Sequence, residues 1–317
     1  MAVIKLFPTK DATLYSAFHA QNTGLDEIIE VSTTFLPNPP EVSRFLIQFS
    51  TDEIEDFIDT HVRYQVYNSE SMEYEWRSRT WEGELRAFIA EIDGLPSDVE
   101  LESYPISQTW NMGTGKYNDI PKIENGCSWK FRLESGSGPW IDGGLDPNES
   151  ANYPEDNPGG GTWFTGSIDG HLVGAQQKLD YASDKDIKMD VTNTLKLIWS
   201  GTIDNNGHIV KQFNKNEFKA SEADSANIKY FSIDTHTIYP PHLDMKVRDF
   251  NYSPTSSMSV IDTQEIVATL AQNQGEYRRG SIQKFYINCR PQFPARTFST
   301  DSDYNKNYIL PQSSYYA

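Results

Sequence analysis

The strongest constraint on the fold is a period of two. In Ser43-Arg44-Phe45-Leu46-Ile47-Gln48-Phe49, positions 45, 47 and 49 place apolar groups on one face while Arg44 and Gln48 point to the other. That spacing predicts a half-buried β-strand. Val62-Arg63-Tyr64-Gln65-Val66 repeats it, and Leu85 to Ala90 forms a nearly continuous apolar run of the kind a central strand carries. Near the end, Phe285, Ile287 and Cys289 alternate with Tyr286 and Asn288, which predicts that Cys289 lies on a core face. Strands of this kind need aromatic and β-branched residues broken by turn formers. The chain supplies 17 Tyr, 16 Phe and 7 Trp, punctuated by 20 Gly and 17 Pro. The fold class expected is therefore all-β.

Two short helices interrupt the strands. Ser50-Thr51-Asp52-Glu53 is a capping box with Ile54, Phe57 and Ile58 at helical spacing behind it. A second helix is predicted to start at Asp190, to direct Val191, Leu195 and Ile198 inward, and to stop at Gly201. Both are too short to organise a fold and are expected to close the ends of a β-sandwich. Residues 249–259, DFNYSPTSSMS, form the best linker, so the domains expected are 1–249 and a smaller β domain over 250–317.

With 45 acidic and 27 basic side chains the net charge is -18, which repels nucleic-acid phosphates and argues against direct DNA or RNA binding. No run of about 18 apolar residues is present to span a membrane, and the opening MAVIKLFPTK lacks an apolar signal region, so neither a membrane nor a secretory route is expected. Cys127 and Cys289 form no metal-binding pair and are expected to be free, buried thiols. The six histidines fit no zinc spacing, and no G-x-S-x-G elbow is present. The GTGK of residues 113–116 fails as a phosphate loop, because Trp110 stands where the first glycine belongs and Tyr117 where the hydroxyl belongs. No catalytic residue or resident cofactor is expected.

The segment 140–161, WIDGGLDPNESANYPEDNPGGG, is a long acidic loop, and loops of that length are usually functional or mobile. Asp142, Asp146 and Asp156, with Asn148, Glu149 and Asn157, offer the oxygen donors calcium takes but not the EF-hand spacing. They read either as a calcium site or as a solvated loop. Trp140, Tyr153, Trp163 and Phe164 flank the loop and read either as a sugar-stacking or interface surface or as core.

Several pieces, taken in order, resemble a known module. Asp11-Ala12-Thr13-Leu14-Tyr15 followed by Asn22-Thr23-Gly24 is similar to the opening of the DNRLRE-type jelly-roll modules, and Arg44 to Phe49 resembles their R-x-L-I-x-F strand. Trp110 to Gly115 is similar to the W-x-x-G-T-G turn, and Asp190-Val191-Thr192, Asn205-Asn206-Gly207 and Tyr230 to Leu243 resemble the later motifs. The resemblance spans about residues 7–247 and is greatest to the version carried by virion structural proteins of tailed phages, of T4-like and cyanophage type. There a β segment similar to 277–298 follows, and the resemblance implies a further C-terminal portion beyond 317.

The resemblance implies a jelly-roll β-sandwich and a non-enzymatic role in the virion, in the tail, neck or baseplate region. The partners implied are other virion proteins and further copies of the chain. The alternative it leaves is a carbohydrate-binding module with a glycan site at 140–164. Gly113, Gly115 and Gly207 are expected to serve as turn glycines, with Lys116 merely the exposed residue after the turn.

Overall fold

The computed structural model of the chain describes residues 2–34, 40–68, 72–94, 98–141, 145–180, 184–213, 217–218 and 226–247, then 266–271, 275, 277–280 and 284–291. It is all-β, with two short helices. Two compact units are distinguished, Met1–Asn251 and Tyr252–Ala317. The expected linker, 249–259, lies outside the described residues.

The first unit holds two antiparallel sheets. The larger has eight strands in the order β14 (Ala175–Asp180), β9 (Asp98–Pro105), β16 (His208–Gln212), β4 (Val42–Phe49), β3 (Ile28–Thr33), β17 (Ala226–Phe231) and β8 (Ile89–Asp93), with β2 (Pro8–Tyr15) also paired to β4. The smaller has four, in the order β1 (Ala2–Leu6), β18 (His242–Val247), β7 (Trp81–Ala87) and β15 (Ile187–Asp190). One continuous hydrophobic core takes side chains from both sheets: Phe45, Ile47, Leu101 and Ile228 from the larger, and Leu85 and Leu243 from the smaller, none with measurable exposure. Each such side chain contributes about 1.5–3 kcal/mol by leaving water, so this layer dominates the stability of the sandwich.

Both helices deliver residues to that core. In α1 (Thr51–Phe57), Ser50 caps the helix by accepting from the Glu53 N–H, as the capping box predicts, and Ile54 and Phe57 are buried. A π-turn, Ile58–Val62, continues it and was not foreseen. In α2 (Thr192–Trp199) the Asp190 carboxylate is the last residue of β15 rather than the cap itself, yet it accepts from the Thr192 N–H at 2.9 Å and so starts the helix. Val191, Leu195 and Ile198 are buried as expected, and Gly201 ends the helix at a φ of 72°.

Three expectations need correction. The run Leu85 to Ala90 is not one central strand: the chain leaves the smaller sheet at Ala87 and enters the larger at Ile89, which explains its apolar residues on alternate faces. The strand expected at Val62–Val66 is β5 (Arg63–Asn68), and it pairs only with β6 (Glu73–Ser78) in a hairpin that joins neither main sheet. In the second unit, β19 (Ile266–Ala271) pairs with β20 (Tyr286–Pro291), where Cys289 is half-buried and Phe285 and Ile287 are 52% and 50% exposed. Among the described residues this ribbon has no second layer to cover an apolar face, and alternation alone does not produce a core.

The outer face of the larger sheet is not all exposed. Residues 106–141 and 145–164 run across it with little regular structure, apart from the short pair β10 (Glu149–Ser150) and β11 (Trp163–Phe164), ahead of the small hairpin β12 (Ser167–Ile168) and β13 (His171–Leu172). They bring Trp110, Trp129, Trp140 and Trp163 against Leu14, Leu46 and Ile209 to form a second core. Over this half the sheet is buried on both faces, and β4 is buried at every position except Gln48.

Candidate functional site

The turn that opens onto the candidate site is fixed by one buried amide. Asn22 donates to the carbonyls of Met112 at 2.6 Å and Cys127 at 2.9 Å, and its Oδ1 accepts from the N–H groups of Gly115 at 2.7 Å and Gly24 at 3.3 Å. Asn22 is fully buried, so leaving any of these groups unpaired would carry a desolvation cost. Gly113 takes the left-handed φ of 75° that a turn glycine is expected to take. Gly115 does not. It is glycine because a Cβ there would sit 2.5 Å from the Asn22 carbonyl oxygen. Gly207 has a φ of 85°, and a Cβ on it would meet the Ile47 carbonyl oxygen.

Beneath the second core lies a charge cluster. Arg44 Nε donates to Glu217 at 2.8 Å and its Nη1 to the Gly160 carbonyl at 2.6 Å, while the guanidinium lies 4.9 Å from the Trp129 ring and 5.4 Å from that of Trp163. Lys211 Nζ lies 3.3 Å from Glu102 and 3.4 Å from Glu217, so two cations meet two carboxylates. Burial by itself would raise the Glu217 carboxyl, but Arg44 and Lys211 outweigh it and hold it below the usual carboxylate range. Burial lowers the Lys211 ammonium. All four side chains are at most 2% exposed, so no substrate reaches them, and the cluster holds the insert to the sheet. Arg44, expected to face solvent, is thus fully buried.

The half of the outer face over β3, β17 and β8 carries no insert, and it floors an open groove of about 990 Å³. Glu30 and Ser32 of β3, Asn227 and Lys229 of β17 and Glu91 of β8 line the floor, on positions that alternate with the core residues Ile29, Val31 and Ile228. One wall is aromatic. Tyr15 and Phe18 lie 5.0 and 5.6 Å from Tyr117, measured between ring centres, and Lys122 Nζ sits 4.2 Å from the Phe18 ring. Lys116, Tyr117 and Asn118, from the turn that Asn22 fixes, line this groove as well.

The groove is acidic. Asp26, Glu27, Glu30, Glu41 and Glu91 line it, against Lys116 and Lys229, and Lys229 is paired with Glu91 at 2.7 Å. The Asp26 carboxyl is pushed up to about 6, by burial first and then by Asp119 and Glu27, against the hydrogen bond it accepts from the Tyr117 N–H. The Tyr15 hydroxyl is raised by burial and then by Glu30 and Asp26. Just behind, Asp11 accepts from the Ile233 N–H at 2.7 Å and is raised to about 7 by burial, with Asp234 and Asp26 adding to the rise. Carboxylates thus outnumber the cations that line the groove.

The site expected at 140–164 is not formed as such. Trp140 and Trp163 are 0% and 1% exposed, with Trp140 Nε1 donating to the Ser128 carbonyl at 2.8 Å, so neither ring can stack on a sugar or a partner. Tyr153 and Phe164 are half-buried, Tyr153 against the second core and Phe164 against the first. Asp146 and Asp156 are exposed, and Asp142 lies outside the described residues. Among the described residues no group of three or more His, Cys, Asp or Glu is placed to hold a metal ion. Cys127 is buried and its thiol raised by that burial. The groove itself gathers residues from positions 15 to 229, a convergence that no local pattern signals. No family model matches the sequence, and a search of curated proteins returns no significant match.

Proposed function

We propose that the chain is a non-enzymatic structural component of a tailed-bacteriophage virion, in the tail, neck or baseplate region, that works through protein–protein surfaces. The observation that carries this reading is the hairpin β5–β6. It joins neither main sheet, and Tyr67, Met72, Tyr74 and Trp76 on it are 53%, 77%, 67% and 58% exposed. A two-stranded ribbon is marginal alone in water, and clustered exposed aromatics mark an interaction surface. Tyr and Trp are also the residues that anchor interfaces most often. Arg63 lies 4.6 Å from the Trp76 ring and adds a cation to the aromatic surface. The resemblance of residues 7–247 to phage virion modules supplies the kind of partner.

The test is co-sedimentation of the purified chain with assembled phage tails. Wild type is expected to sediment with tails at fixed stoichiometry, and the pair Tyr74→Ala, Trp76→Ala to lose that while keeping its melting temperature. Failure of wild type to sediment with tails contradicts the reading. A second reading, a carbohydrate-binding module, is favoured by one observation. Tyr117 is 40% exposed in a groove that also offers Asn118, Asn227 and carboxylates to sugar hydroxyls. Glycan binding that disappears in Tyr117→Ala, with no association to tails, would support that reading instead.

A further inference from the structure

The groove and one segment of the second unit are opposites in charge. In a chain of net charge -18, residues 277–298 contain Arg278, Arg279, Lys284, Arg290 and Arg296 and no acidic residue. Its described parts, 277–280 and 284–291, also carry aromatic groups: Tyr277 and Phe285 pack at 5.2 Å between ring centres, and Tyr286 is 58% exposed. The groove offers the complement, an aromatic wall at Tyr15, Phe18 and Tyr117 next to carboxylates that its two lysines do not balance.

We propose that the groove receives the basic, aromatic segment 277–298 of a second copy of this chain, so that copies join head to tail. Charge complementarity chooses the occupant. An acidic groove repels nucleic acid and anionic sugars, and it steers an arginine-rich segment toward itself. Arginine also stacks on aromatic faces while pairing with carboxylates, and this groove places both kinds of group together. Each patch is exposed on its own unit, Tyr117 at 40% on one and Tyr286 and Ile287 at 58% and 50% on the other, so each is open to a second copy. Two different complementary patches on one chain make a heterologous contact, which closes into a ring when the rotation allows. Rings about an axis are what a tail component would build. The proposal rests on the assembly reading only for that purpose, since self-association is measured on the purified chain with no phage component present.

The experiment is sedimentation velocity of the full chain across concentration, at low salt and at about 1 M salt, where charges are screened beyond about 3 Å. Wild type is expected to associate at low salt and to dissociate at high salt. The groove pair Glu30→Lys, Glu41→Lys and the segment pair Arg278→Glu, Arg279→Glu should each weaken association by about tenfold or more, the effect of about 1.4 kcal/mol of repulsion. Mixing the two variant chains should restore it, because each reversed surface then meets its complement. Should a reversal impair folding, judged by melting, Glu30→Gln with Glu41→Gln replaces it, with a smaller loss expected. A wild type that stays monomeric, an association unmoved by both reversals, or folded variants that fail to recombine would each overturn the proposal. None of these results depends on whether the Tyr74→Ala, Trp76→Ala pair sediments with tails, so the two ideas fail separately.

Discussion

One face of the larger sheet serves two purposes, and the contrast between its halves shows where the chain keeps its charge. Over β2, β4 and β16 the face is dry. The four tryptophans of the insert cover it, and each buried charge there has an opposite charge or a carbonyl within hydrogen-bonding distance. Over β3, β17 and β8 the face is open, and carboxylates outnumber cations on it. Burial forces charges to balance, because an unpaired buried ion costs several kcal/mol, whereas solvent tolerates an excess. The imbalance therefore remains on the open half, where a partner can use it.

The largest effect should come from upsetting the dry half. Glu217→Ala leaves Arg44 and Lys211 buried without that carboxylate and should cost about 3–5 kcal/mol in a denaturant melt. A loss below about 1 kcal/mol would mean that water reaches the cluster and that the two halves do not differ as described.

Next in size is the link between the halves. Asn22→Ala should cost about 3 kcal/mol, since two carbonyls and two N–H groups lose the same partner. It should also loosen the turn that carries Tyr117, seen as a change in near-ultraviolet circular dichroism. Wild-type stability in this variant would show that the turn is held by other contacts.

A smaller, pH-dependent effect belongs to Asp11, which lies where the acidic region begins. Its carboxyl is raised to about 7, so the folded state holds the proton more tightly than the unfolded state does. The stability it adds is full below the ordinary carboxylate range near pH 4 and is lost as pH rises through about 7. Asp11→Asn should remove that fall, about 2.5 kcal/mol of which lies between pH 5 and pH 8, and make the protein more stable than wild type at pH 8. Melting curves of both proteins at pH 5 and pH 8 check it. Parallel pH profiles would contradict the assignment.

The smallest effect is expected in the open half. Glu91 is 62% exposed where it pairs with Lys229, so Glu91→Gln should change stability by less than about 1 kcal/mol. A larger loss would show that the groove floor is structural.

The layers of this fold were legible where they follow from local chemistry. The alternation at Phe45, Ile47 and Phe49 gave the inner face of β4, and Ser50 with Glu53 marked the start of α1. The same pattern misplaced Arg44, because alternation assigns a residue to a face without revealing what covers that face. The covering residues come from 106–164, where irregular backbone has no period to read. Trp140 and Trp163 beside a polar loop looked like a ligand surface, and their indole rings instead fill the second core. The groove was invisible for a related reason: Tyr15, Glu30, Tyr117 and Lys229 meet only through strand order. One signal was present, since Asn22-Thr23-Gly24 and the GTG turn both stand out in the sequence as turn formers and are here a single hydrogen-bonded unit.

Oxidative footprinting of aromatic side chains, on the full chain alone and in the assembled state, tests the contrast most directly. The account predicts that Trp129, Trp140 and Trp163 stay unmodified in both states, while Tyr117 and Trp76 are modified in the free chain and protected on assembly. Modification of Trp140 or Trp163 in the folded free chain, or a Tyr117 that reacts equally in both states, would contradict it.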